Sequence, residues 1–280
     1  MKHLSISLFA VISFYFTACT VAKVGVPAQF AAQADQLKVK GLNGFTFNQS
    51  LNFGLYTASE IKRGWDVSSK WQASNISLRP EDMMIRLLNV NTDRFSSKEK
   101  NKFQFTIRDE KLMADVFALE ATTEKGKVYN TNTALGTISQ RDQLNYDFSA
   151  IIVPYNFEPK ETWKLVMQSN YDRKKDTARR IGDLPATTDN FYASNGKETI
   201  TIHPLRITQT TNAKGKTAKI WGPGILSGYE LRIDDGVIAV IDIVDPTVWI
   251  YKELDKPTKM IVSAIGSAIL LKRKQDVQND

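Results

Sequence analysis

From Gly41 onward, apolar residues recur at every second position in short runs broken by turn formers. That period marks strands with one buried face. FTFNQSLNFGLY (45–56) alternates aromatics with turn residues, and KFQFTIRDEKLMADVFALEA (102–121) reads as two strands about Asp109–Glu110. KVYNTNTALGTIS (127–139), QLNYDFSAIIV (143–153), TWKLVMQS (162–169) and ETITIHPLRITQ (198–209) add further short strands. YELRIDDGVIAVIDIV (229–244) predicts a hairpin with its tight turn at Asp235–Gly236. TVWIY (247–251) closes the series. The pattern is mostly β, with about twelve antiparallel strands.

One segment breaks the period. IVSAIGSAILL (261–271) is apolar on every side. Pro257 or Thr258 suits a helix start, and Lys272, Arg273 and Lys274 sit at its electronegative end. The predicted helix covers 258–273. Its apolar part, Met260 to Leu271, spans roughly 18 Å at 1.5 Å per residue, short of the ~30 Å hydrocarbon layer. A helix apolar all round is therefore expected inside the fold. Ser263, Ala264, Gly266, Ser267 and Ala268 keep it slim. The expected architecture is a barrel closed around its own C-terminal helix, the alternative being a β-sandwich with a packed terminal helix.

GYELRIDDGVIAVIDIVDPTVWIYKELDKPTKMIVSAIGSAILL (228–271) resembles the end of the tubby, phospholipid-scramblase and LURP-like group. In that group a hairpin, one more strand and a turn lead into a central hydrophobic helix, so the resemblance implies the same barrel here. FGLYTASEIKRGW (53–65) is similar to families of Bacteroidetes lipoproteins.

The amino terminus has a separate meaning. MKH precedes LSISLFAVISFYF (4–16), an apolar run of signal-peptide length. FTAC (16–19) follows and resembles the lipobox of bacterial lipoproteins, with Phe16 in place of the usual Leu. The resemblance implies cleavage before Cys19 and lipid on its thiol and amino group. Residues 1–18 are then a lipoprotein signal peptide, 19–41 the lipidated Cys and a tether, and 42–280 a single β-rich domain. Fully extended, residues 20–41 reach about 70 Å. Thr20, where an inner-membrane retention signal would carry Asp, points to the outer membrane facing the periplasm.

Composition excludes several classes. Cys19 is the only cysteine of 280 residues, so no internal disulfide forms. His3 and His203 are the two histidines, too few for a Cys/His metal site, and no metal or cofactor is expected. A net charge of +7 comes with no nucleic-acid signature. GKT at Gly215–Thr217 lacks the P-loop glycine, because Thr210 stands there. Ser227 lies outside a nucleophile elbow. Paired carboxylates remain: Asp234 with Asp235, Asp242 with Asp245, and Glu158 with Glu161. They carry the alternative of a periplasmic carbohydrate-active or other hydrolase.

Two stretches point to binding. RKKDTARR (173–180) gathers Arg173, Lys174, Lys175, Arg179 and Arg180, a set suited to an anionic ligand. Trp221, in WGPG, is a loop aromatic able to stack on a ligand. No catalytic residue is assigned. The expected function is a non-enzymatic, membrane-anchored envelope lipoprotein that binds anionic lipid, glycan or an envelope protein.

Overall fold

Inward-facing residues at every second position build one continuous core. The computed structural model describes residues 26–42, 49–64, 67–74, 90–131, 137–155, 158, 160–176, 187–211, 217–220 and 224–273. Sixteen strands and two helices lie in these segments. In chain order they are α1 (Ala28–Gln33), β1 (Ala34–Lys38), β2 (Asn52–Phe53), β3 (Tyr56–Ala58), β4 (Lys62–Arg63) and β5 (Val67–Ser74). Next come β6 (Val90–Arg108), β7 (Met113–Thr131), β8 (Thr137–Pro154), β9 (Trp163–Asp172), β10 (Thr187–Ser194) and β11 (Thr199–Ile207). After these follow β12 (Gln209–Thr211), β13 (Thr217–Lys219), β14 (Ile225–Ile233), β15 (Gly236–Asp242), β16 (Thr247–Tyr251) and α2 (Lys256–Leu271).

Twelve of the strands form one antiparallel circuit, in the order β1-β16-β15-β14-β11-β10-β9-β8-β7-β6-β3-β2. It comes round on itself at the Lys40–Asn52 bridge, where each backbone N–H donates to the other residue's carbonyl. Gly41 permits the turn there: its φ is +86°, and a Cβ would lie 1.8 Å from the Ser50 carbonyl oxygen. The circuit is the barrel expected from the sequence, not a two-sheet sandwich.

α2 runs through the interior, with Met260 to Leu271 all buried. Asp255 caps its start, accepting from the Thr258 backbone N–H at 2.8 Å and from the Thr258 hydroxyl at 2.8 Å. Its other end meets a buried polar layer. Arg63 donates to the Leu271 carbonyl at 3.2 Å and Gln49 at 3.1 Å, with its guanidinium 5.2 Å from the Phe103 ring centre. The Lys272 ammonium, 3% exposed, donates to the Tyr229 hydroxyl at 3.0 Å and lies against the Tyr146 and Tyr229 rings. Glu120 accepts from the Tyr146 hydroxyl, from Asn101 and from the Arg273 backbone N–H. Two cations thus face the electronegative helix end, as its macrodipole favours.

Three features depart from the sequence reading. Residues 28–38, expected within the tether, form α1 and a barrel strand. Phe30 of α1 packs with Ala34 and Val240, beside Val237 and Trp249. The hairpin turn is Asp234–Asp235, one residue earlier than expected, with φ of 46° and 66°, and Gly236 is already paired with Ile233. Aspartate tolerates that left-handed backbone better than most residues, so the turn needs no glycine. The stretch 127–139, read as a strand of its own, divides between the end of β7 and the start of β8.

Candidate functional site

β6, β7 and β8 are far longer than the barrel wall requires. Their outer halves, with β5 paired to β6 from Val67↔Lys100 to Ser74↔Asp93, form an arm projecting from the barrel rim. The rim from which it rises is the one where α2 ends.

Pairing register assigns the faces of this arm. Ser97, Glu124, Leu144 and Tyr171 stand opposite one another across β6–β9, and Leu144 and Tyr171 are buried in the core. The adjacent row, Ser96, Lys125, Gln143 and Asp172, must therefore point outward, because successive residues alternate sides. Arg94 and Lys127, another directly opposed pair, extend that outward face.

Beyond Asp172 the chain turns back over this row. The Asp172 carboxylate accepts from the Lys174 backbone N–H at 3.0 Å, the Lys175 N–H reaches the Asp172 carbonyl at 3.0 Å, and the Arg173 N–H donates to the Asp142 carbonyl at 2.9 Å. Arm and turn enclose a groove of about 770 Å³. Its cations are Arg94, Lys125, Lys127, Arg173 and Lys174, against the carboxylates of Asp142, Asp172 and Asp176. Asp142 is engaged by Gln140 at 3.1 Å and faces Arg173 at 3.7 Å, and Asp172 caps the turn. The surplus of charge is positive.

The shape of the groove depends on Gly126. A β-bulge falls between Lys125 and Gly126. A Cβ on Gly126 would lie 2.3 Å from the Gln140 carbonyl oxygen and 2.7 Å from the Phe95 ring. Phe95, its directly opposed partner, lies over the bare glycine, an arrangement in which an aromatic covers backbone that no side chain protects.

The residues singled out in the sequence separate clearly. Arg173 and Lys174 line the groove, while Lys175 is exposed outside its lining. Arg179, Arg180, Trp221 and Cys19 lie outside the described residues. Arg94, Lys125 and Lys127 were not visible as a group, since no two of them are sequence neighbours.

The carboxylate pairs have structural work. Asp234 and Asp235 make the hairpin turn. Asp242, 4% exposed, accepts from the Val244 and Asp245 backbone N–H groups at 2.9 Å each, and Asp245 pairs with Lys38 at 2.8 Å. Glu158 faces Lys160 at 3.7 Å, and Glu161 binds Lys197 and Asn195. His203 is exposed on β11. Burial, reinforced by the Glu120 carboxylate, raises the Tyr146 phenol well above its ordinary pKa and keeps it a hydrogen-bond donor. Among the described residues no group of His, Cys, Asp and Glu is placed to hold a metal ion. No helix among them is long and apolar enough to cross a membrane.

Comparisons with protein-family models, with curated proteins and with solved structures give no match.

Proposed function

We propose that this chain is a lipid-anchored envelope lipoprotein and that its barrel is a non-enzymatic binding module for anionic, phosphate-bearing groups. Cys19 supplies the anchor, in the outer membrane facing the periplasm. The barrel wound around its own C-terminal helix supports kinship with the tubby-like group. With α2 filling the interior, ligands meet the barrel on its outside. The observation that carries the reading is the strand register that gathers Arg94, Lys125 and Lys127 beside Arg173 and Lys174.

A chain beginning at Thr20 is expected to bind phosphatidylglycerol vesicles at low salt and to release them as salt rises. Each exposed cation contributes about 1 kcal/mol near an anionic surface. Replacing Lys125, Lys127 and Lys174 with Gln should then weaken binding by roughly a hundredfold. Unchanged binding by the triple variant, or none by the parent, overturns the assignment of the groove. The anchor is tested separately. Labelling of cells with radioactive palmitate should mark the full chain and leave Cys19→Ala unmarked, and equal labelling of both would remove Cys19 from the scheme.

A further inference from the structure

The groove holds more than cations. Building on its assignment as an anion site, we infer that its occupant is a phosphorylated sugar, a ligand that brings hydroxyl donors together with a phosphate. The first ground is Asp176. Its Oδ2 is buried and has no hydrogen-bond partner among the described residues. The backbone fixes this residue in place, since its N–H donates to the Arg173 carbonyl at 3.2 Å. Asp142 and Asp172 already accept hydrogen bonds, so Asp176 is the acceptor left open in the groove. A buried carboxylate oxygen without a donor is costly. Beside a bare phosphate it would also repel. A ligand hydroxyl supplies the missing donor, and a phosphate on the same molecule meets Lys125, Lys127 and Lys174.

The second ground is the aromatic wall. Phe95 lines the groove where Gly126 leaves the backbone bare. A flat apolar ring suits the C–H face of a sugar, and the Gln143 amide adds a donor and an acceptor. The third is size. A volume of about 770 Å³ is far more than one phosphate needs. It falls in the range of roughly 300–1,000 Å³ found for small-molecule sites.

The sign of one substitution separates this ligand from simple charge attraction. Asp176→Asn removes a negative charge from a cationic groove, so a purely electrostatic site should bind anions more tightly. A site whose Asp176 accepts a sugar hydroxyl should bind the phosphorylated sugar less tightly. The full chain, purified in nonionic detergent, is titrated calorimetrically with trehalose 6-phosphate, trehalose and inorganic phosphate. Trehalose 6-phosphate is expected to bind best. Asp176→Asn should weaken it by about tenfold, as loss of a charged hydrogen bond implies, while phosphate binding holds or improves. Phe95→Leu should weaken trehalose 6-phosphate and spare phosphate, independently of the turn around Asp176.

Micelles doped with monophosphoryl lipid A tell a glycolipid headgroup from a soluble phosphosugar: tighter binding there than to the free disaccharide assigns the lipid source, and weaker binding the soluble one. If Asp176→Asn and Phe95→Leu both leave trehalose 6-phosphate binding unchanged or improved, the sugar is overturned and the anion groove stands. If neither phosphate nor any phosphorylated probe binds the parent chain, both fall.

Discussion

At the scale of single residues, Gly266 measures how little room α2 has. A Cβ there would stand 3.4 Å from Val248 Cγ2 and 3.7 Å from Ile241 Cδ1. Gly266→Ala therefore just fits, and its gain in helix propensity, about 1 kcal/mol, offsets the tight contact. Gly266→Leu adds branches where none fit, and overpacking should cost about 1–3 kcal/mol. Urea denaturation is expected to leave the midpoint of the alanine variant close to the parent and to lower that of the leucine variant. Equal midpoints for all three would mean that the barrel has slack around its axis. Single residues differed in how far the sequence exposed them. Arg173 and Lys174 announce themselves as part of a basic run. Arg94, Lys125 and Lys127 belong to no run, and only the pairing Arg94↔Lys127 and Ser96↔Lys125 brings them together. Register is fixed by the turn between strands and by which face is buried, and neither leaves a trace at the cationic residues themselves.

At the scale of elements, α2 was the most legible. Twelve successive buried residues leave no polar face, so length and composition alone placed it inside. The barrel halves of the strands were legible for a related reason: Phe103, Phe105 and Ile107 on β6, and Leu144, Tyr146 and Phe148 on β8, alternate with exposed or half-buried neighbours. The arm was not. Beyond Asn101 on β6 and Thr122 on β7 there is no barrel core to fill, and the sequence turns to Lys, Glu, Thr and Ser. Period two vanishes while the hydrogen-bonded ladder continues, from Glu99↔Thr122 out to Val90↔Thr131. Strand length is thus set in the arm by backbone pairing, which composition does not record. The groove lies in this unpatterned half, and for that reason the sequence showed the charge of the turn 173–176 but not the wall it faces.

At the scale of the whole molecule, the boundary of the folded body is what the sequence misplaced. Residues 20–41 looked like a tether because AQFAAQADQL is short, polar and rich in alanine. Its few apolar residues nonetheless complete the structure. β1 covers the edge of β16 over five residue pairs, from Ala34↔Tyr251 to Lys38↔Thr247. Phe30 shields Val240 on the outer wall, and Lys40 makes the bridge that brings the circuit round. Nothing in so short a stretch distinguishes a strand that finishes a barrel from one that floats, since both are only half apolar. If Cys19 carries lipid, residues 20–25 are the slack left between anchor and body, about 20 Å when extended. A chain of residues 26–280 should then fold and unfold in one cooperative step. A chain of 42–280 loses α1, β1 and the closing bridge, exposing the β16 edge and its apolar wall. It should aggregate, or melt lower by on the order of 10 °C, given 2–4 °C per kcal/mol for a domain of this size. Scanning calorimetry of the two chains, with sedimentation to detect aggregates, checks this. Coincident melts would show that the barrel closes without its first strand and that the tether begins where the sequence had placed it.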